Sequence, residues 1–564
     1  MGNLVVSKSL KSTHNRSKFG PSPLAKLLIS GFALFGGCSP KIDPIGKLHN
    51  QMPDFFLGNG SRKDSKEQNP TQQFGNILEY LSVNKKSNFD LLTFQKLEED
   101  LSNRLNALPK AQASKEFGEM FKQIFFYESA RGMAIPNGLL YLYNSENSVV
   151  TGIKQKALEA WGLLEENGSP LGVKFVSEGP GQFASIGCSV CHVGKAYGEL
   201  IPGLGNKLVD IAQFGRDGQS LSYTILSSAA YALNSRDFSS QRRAVEATHD
   251  GWAYQFLDRL ADDRVTNLTA GLVSVGIVRA AFYEDGPPEG MHRSQVKIPQ
   301  LWGFAEKRVA GAFNDGSGDA VTGGWGLGVE IVGGVRPETV HETRFQEKAN
   351  FTERMFQYFQ PPAYPEKIDQ EKATRGLHLY ETYCTSCHGQ HERAMDGSPI
   401  FKTPKIISWD ELQTDRDKLD GDTEDFVQKV ASAGYSPFVR INPNFNQDEP
   451  GYFAPTLWGI WARFPYLHNG SVPTIRDLLH NPALRPRRFY LKDAGEVYRY
   501  DVQNMGLTSE TIPSMPSENR LVYDVTRVGH SNQGHFFWGT GDNSGLSQLS
   551  TADEDALIEY LKTL

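Results

Sequence analysis

Four of the chain's five cysteines fall into two short patterns, Cys188-Ser-Val-Cys191-His192 and Cys384-Thr-Ser-Cys387-His388. Two thiols about one helical turn apart, followed at once by an imidazole, suit one chemistry in particular. The thiols can close thioether bonds on the vinyl groups of a porphyrin, and the histidine then reaches the iron as its proximal ligand. Cys188 and Cys191 would hold one haem c with His192 on its iron, and Cys384 and Cys387 a second with His388. Two covalently held irons mean redox chemistry. Paired cysteines also serve a four-cysteine zinc site built from both pairs, or disulfides formed within each pair in an oxidising compartment. Neither explains a histidine directly after each pair.

The opposite face of each iron decides what it can do. A sixth protein ligand closes the metal, and an empty position opens it to O2 or peroxide. His530 and His535 lie in Gly529-His-Ser-Asn-Gln-Gly-His535, and His468 lies in Pro465-Tyr-Leu-His-Asn-Gly-Ser471. His535 is the first choice for the second haem, with His530 and His468 as alternatives. Met395 or Met505 in that place would raise the potential. His249, His292, His341 and His378 stand singly, and His391 is too close behind the second motif to reach the far face.

These residues need elements to hold them. The fifth cysteine, Cys38, ends an apolar run that begins at Leu27, with Lys8, Lys11, Arg16, Lys18 and Lys26 upstream. A basic region, a short apolar stretch and small residues before the break describe a secretory leader, residues 1–37. At roughly ten residues the run is too short to span a bilayer. Cys38 after Gly36-Gly37 resembles a bacterial lipoprotein box, so it is the expected lipidation site and membrane anchor of an exported protein. Residues 38–75 are polar and turn-rich and read as a tether. Helical spacing follows, as in Phe117, Met120, Phe121 and Ile124. Residues 76–362 form the unit around the first motif, including a glycine-rich, aromatic stretch over 311–334. Pro361-Pro362 breaks the chain, because consecutive prolines cannot continue a helix. Residues 363–564 form the unit around the second motif, opening with a helix that runs straight into Cys384 and closing with an amphipathic helix from Asp553.

That second unit resembles a cytochrome c domain, in which the first and last helices cross at a glycine–aromatic contact. Gly376 and Tyr380 opposite Leu557 and Tyr560 would supply it. The segment from Tyr452 to Ile475, with Pro455-Thr-Leu-Trp458 and Tyr466-Leu-His-Asn-Gly-Ser471, resembles bacterial di-haem cytochrome c peroxidases. Pro202-Gly-Leu-Gly-Asn-Lys207, Pro299-Gln-Leu-Trp302, Ala312-Phe313 and the Gly-His…Gly-His tail bring the chain closest in pattern to the di-haem rubber oxygenases. The resemblance implies a mainly α fold of two c-type cytochrome domains, the N-terminal one enlarged with long loops and little β. It implies an N-terminal haem that meets O2 in an apolar pocket lined by Trp302 and Phe313, and a C-terminal bis-histidine haem. It also leaves room for a calcium ion between the domains.

Three functions stay open. The first is an oxygenase of an apolar substrate, with the first haem catalytic and the second an electron relay. The second is a cytochrome c peroxidase, for which Glu306 and Glu330 are the acids in the right segment. The third is a membrane-anchored electron carrier without a substrate. The expected partners are an electron-transfer protein or a small apolar or peroxide substrate. The expected place is the periplasm or cell surface, the outer membrane before others. The formal net charge of −7 and the lack of a basic stripe argue against nucleic acid as a partner.

Overall fold

The computed structural model describes residues 91–124, 135–136, 160–178, 181–214, 269–274, 295–310, 341–421, 428–429, 431–435, 448–491, 500–508, 522–536 and 549–564. The leader, the tether, Cys38, Phe313, Glu330 and the glycine-rich stretch 311–334 lie outside the described residues.

The described chain begins with α1 (Leu91–Asn106) and α2 (Lys110–Ile124). Phe117, Met120 and Phe121 fall on one stripe of α2 and are buried. Both phenylalanines meet the edge of Phe359, at centroid distances of 4.8 and 4.9 Å. Gly118 lets α2 sit directly on Pro202, since a Cβ there would stand 3.1 Å from the proline ring. The antiparallel strands β1 (Val173–Glu178) and β2 (Gly181–Ile186) lead into α3 (Cys188–His192), which is the first motif. A tight hairpin follows, β3 (Val193–Ala196) with β4 (Glu199–Pro202). Its turn places Tyr197 and Gly198 at φ 53° and 84°, the left-handed pair that matches strand twist. Next come the short pair β5 (Leu272–Ser274) with β6 (Gln295–Lys297), then α4 (Phe304–Ala310) and α5 (Thr343–Met355).

Beyond Pro361-Pro362, Asp369 caps α6 (Gln370–Tyr383) by accepting the amides of Glu371 and Lys372. The helix runs into Cys384 and the short α7 (Thr385–His388), where Gly389 at φ 70° stops it. β7 (Lys405–Ser408) pairs with β8 (Gly451–Ala454), and β9 (Arg488–Tyr490) with β10 (Val522–Asp524). The closing helix α8 (Thr551–Lys562) starts with a capping box between Ser550 and Asp553. It crosses α6 at Gly376, where an added Cβ would stand 2.0 Å from the Ala556 carbonyl. Tyr380 and Tyr560 close the crossing with centroids 5.1 Å apart. Leu557 and Ile558 are buried beside it.

Buried apolar residues from α1 and α2 through Trp302, Trp458 and Trp461 to α8 form one contiguous core. Both motifs are therefore fixed against the same apolar mass.

Candidate haem sites

The second motif has the more complete frame. His388 Nδ1 lies 2.8 Å from the Pro455 carbonyl oxygen. A carbonyl only accepts, so Nδ1 carries the proton and Nε2 the lone pair. Burial holds the ring neutral by lowering its pKa. The ring of His535 is its neighbour, with centroids 6.2 Å apart and planes tilted by 49°. Two imidazoles on one metal, each nitrogen about 2 Å from it and about 1.2 Å more to its ring centre, would stand about 6.4 Å apart. The observed spacing thus leaves room for one metal atom between the rings. Burial, then His388, then Arg485 push the His535 pKa down to about 3, so this ring too is neutral.

The loop that carries His535 is clamped. Arg485 donates to the carbonyls of Asn532 at 2.5 Å, Gly534 at 3.0 Å and, more weakly, His535 at 3.4 Å. The His535 amide donates to Leu412 at 2.8 Å. Gly534, at φ 77°, lies so close to Leu412 that a Cβ would stand 2.3 Å from its carbonyl oxygen. The alternatives have other neighbours. His530 is fully buried beside Tyr523 with Nδ1 on the Val528 carbonyl. His468 stacks on Tyr452 with centroids 4.1 Å apart. Met395 is exposed, and Met505 is buried with its carbonyl accepting from the Tyr466 hydroxyl.

The first motif shares the tautomer device. His192 Nδ1 lies 3.0 Å from the Pro299 carbonyl oxygen, and burial lowers its pKa to about 4. The loop after β4 wraps the motif. Gly203 donates to the His192 carbonyl and Asn206 to that of Cys191, at 2.8 and 2.7 Å. The Asn206 amide group also donates to Val190 and Gly162, both at 3.0 Å. Gly205 packs against the Ile298 carbonyl at a distance that leaves no space for a Cβ. Asn206 thus ties the segment before the motif, the motif itself and the loop after it.

None of the four motif cysteines is joined in a disulfide. Among the described residues no group of three His, Cys, Asp or Glu could hold a metal ion, so the two pairs do not meet in one zinc site. Burial pushes the Cys191 and Cys384 thiols up to about 12. Paired cysteines beside an imidazole whose Nδ1 is held by a proline carbonyl fit a porphyrin attached through thioethers.

Pro299 and Pro455 are not marked by motif spacing, but a repeat finds both. Pro299-Gln-Leu-Trp-Gly303 and Pro455-Thr-Leu-Trp-Gly459 share the pattern P-x-L-W-G. Each copy follows a short strand, β6 or β8, and each ends on a glycine at φ 68° or 67°. The copies touch, for Trp302 Nε1 donates to the Trp458 carbonyl at 2.9 Å, and Trp302 is buried. Trp302 thus links the two segments whose carbonyls hold His192 and His388. Arg485 and Leu412 had no sequence signal, because their contacts with the His535 loop close only in the fold.

Residues 451–490 match the family model described as RoxA-like, cytochrome c-like. The match supports a c-type cytochrome with haem c and iron, related to the RoxA-like cytochromes c. Two curated relatives are uncharacterized proteins of Sinorhizobium fredii (strain NBRC 101917 / NGR234). One, y4iM, is 30% identical over 36% of this chain and 51% of its own length. The other, y4iJ, is 29% identical over 41% of this chain and 46% of its own length. The chain thus spans about half the length of these relatives.

Proposed function

We propose that the chain is a di-haem c-type cytochrome with unequal haems. His388 and His535 close the second iron, which relays electrons, and the first is an O2- or peroxide-reactive centre of a rubber-oxygenase-like oxidoreductase. The observation that carries this reading is the pair of neutral, half-buried rings 6.2 Å apart, since a bis-imidazole iron exchanges electrons and binds nothing else. Haem supplies one-electron exchange and, at an open position, binding of O2 or peroxide.

The chain's residues supply the rest. Pro299 and Pro455 hold His192 and His388 in the coordinating tautomer. Arg485 holds the His535 loop against the second motif. Trp302 and its bond to Trp458 complete a path from the His192 support to the His388 support. The reading of the first haem as the open one rests on the enlarged unit around Cys188 and on Phe313 in the glycine-rich stretch. Its substrate would be small and apolar, or peroxide, and its electron partner a soluble redox protein. The basic leader and Cys38 support a lipid-anchored protein of the periplasm or cell surface, at the outer membrane before other sites.

Electron paramagnetic resonance and optical spectra of the isolated protein test this. One low-spin, six-coordinate haem and one haem that responds to CO, O2 or peroxide are expected. Two low-spin haems inert to all three would leave an electron carrier and overturn the enzyme reading. Where one haem does respond, oxygen-dependent cleavage of polyisoprene would mark an oxygenase, and oxidation of reduced cytochrome c by H2O2 a peroxidase.

A further inference from the structure

The packed rings of the core fall into two chemical kinds. Those on α2 are mostly phenylalanines, with Phe117 and Phe121 against Phe359, and phenylalanine resists one-electron oxidation. A second group is built from tyrosine and tryptophan, the aromatic side chains that lose an electron most readily. Trp461 and Tyr500 have centroids 6.2 Å apart, Tyr500 and Tyr197 5.5 Å, and Trp461 and Tyr364 5.6 Å. Such spacing is ring-to-ring contact. Electronic coupling decays steeply with the gap between donor and acceptor, so rings in contact can pass an electron stepwise.

The group begins where the two P-x-L-W-G copies meet. Trp461 follows Gly459 by two residues, and a Cβ on Gly459 would stand 3.0 Å from the Trp302 ring. Trp461 is buried, and its Nε1 donates to the Pro362 carbonyl at 2.9 Å. The group ends at Tyr197, in the turn of the β3–β4 hairpin that runs out from His192. Tyr197 is half-buried and its partner Glu366 is exposed. The rings thus run from the contact between the two histidine supports to the surface.

Protons decide which of these rings can hold an electron deficit. A phenol that loses an electron becomes strongly acidic, so the deficit settles where a base stands ready for the proton. The hydroxyls of Tyr364 and Tyr500 are buried with no acceptor among the described residues. Burial, before any other cause, raises the pKa of both. The Tyr197 hydroxyl instead donates to the Glu366 carboxylate. The Lys562 ammonium, 5.4 Å from the centre of the Tyr364 ring, further disfavours positive charge there. The favoured route is therefore Trp461, Tyr500 and Tyr197.

We propose that Tyr197 is a surface oxidation site, connected through Tyr500 and Trp461 to the first haem and discharged by a small one-electron donor of the phenol class. This inference rests on the reading of the first haem as peroxide-reactive. Hydrogen peroxide takes up two electrons and two solvent protons to give two waters. The iron supplies one electron. Tyr197 supplies the other, its phenolic proton passes to Glu366, and a neutral tyrosyl radical remains beside a protonated carboxyl. A phenol at the surface then returns one electron, Tyr197 recovers its proton from Glu366, and the phenol leaves as a phenoxyl radical, its own proton going to water.

The test uses the full-length, haem-loaded protein, mixed with H2O2 in the absence of other reductants and rapidly frozen. Optical spectra report the haems, and electron paramagnetic resonance reports any protein radical. The parent should show altered haem bands together with a narrow organic-radical signal, which ring-deuterated tyrosine should narrow further. Tyr197→Phe keeps the ring and should lose the signal. Tyr500→Phe should slow its appearance. Glu366→Gln changes an exposed side chain, keeps the tyrosine and removes the base, so it should lower the radical yield even if Tyr197→Phe fails to fold. Peroxide-dependent oxidation of guaiacol should fall with the radical in each variant. Haem content by pyridine haemochrome verifies that each variant is loaded. A radical that survives Tyr197→Phe, or altered haem bands without a radical in the parent, overturns the proposal and leaves the haem reading standing. Haem bands indifferent to peroxide overturn that reading first, and the proposal with it.

Discussion

His388 and His535 face each other across a gap that neither ring fills, and both are kept neutral by burial. His535→Ala should therefore turn the second haem from low-spin to high-spin by electron paramagnetic resonance. His530→Ala, which alters a ring packed on Tyr523, should leave that signal intact, and the reverse pattern would move the ligand to His530. His391 gives a second prediction at this scale. Its Nε2 accepts the Leu457 amide at 3.0 Å, and its pKa is lowered to about 3, by burial first and then by His388. The folded value lies below the unfolded one of about 6.5. The unfolded chain therefore binds the proton first, and stability falls as pH drops from about 6.5 toward 3, by at most about 1.4 kcal/mol per unit for this group. Urea unfolding midpoints between pH 4 and 7 should show that slope, and His391→Gln should flatten it. The two C-x-x-C-H motifs were legible because cysteine and histidine at fixed offsets have few uses. The groups that orient them were not, since a proline carbonyl looks like any other until the fold brings a histidine to it.

The α6–α8 crossing leaves no space at Gly376. Gly376→Ala forces the helices apart, and the cost of such overpacking is about 1–3 kcal/mol. Thermal unfolding of the variant should fall by several degrees, and an unchanged midpoint would show that the helices slide freely. This crossing could be read from the sequence because both helices carry a periodic apolar face and a glycine at the contact. The hairpins around the motifs could not, because strands of three or four residues contain too little alternation to distinguish them from loops. The contact between the P-x-L-W-G copies suggests another experiment. Trp302→Phe keeps an aromatic ring but removes the bond to the Trp458 carbonyl. Electron transfer between the haems, followed by stopped-flow reduction, should slow while both optical spectra stay parental. An unaltered rate would remove Trp302 from the path.

One core joins the two motif units, although the paired prolines at 361 and 362 suggest a break. Composition could not foresee this, because prolines mark where a helix stops and not where packing stops. Replacing Cys384 and Cys387 by alanine should leave a single haem per chain by mass spectrometry, and loss of both would mean that the sites form only together. The histidines and their supports lie far apart along the chain, by 107 residues for His192 and Pro299 and 67 for His388 and Pro455. Each C-x-x-C-H motif is instead local, complete within five residues. Such separation makes the support a late event in folding, since distant contacts must first overcome the entropy of closing a long loop. Maturation therefore has a natural order, in which a short, still-unfolded stretch can be recognised and modified long before the fold exists that will orient its imidazole.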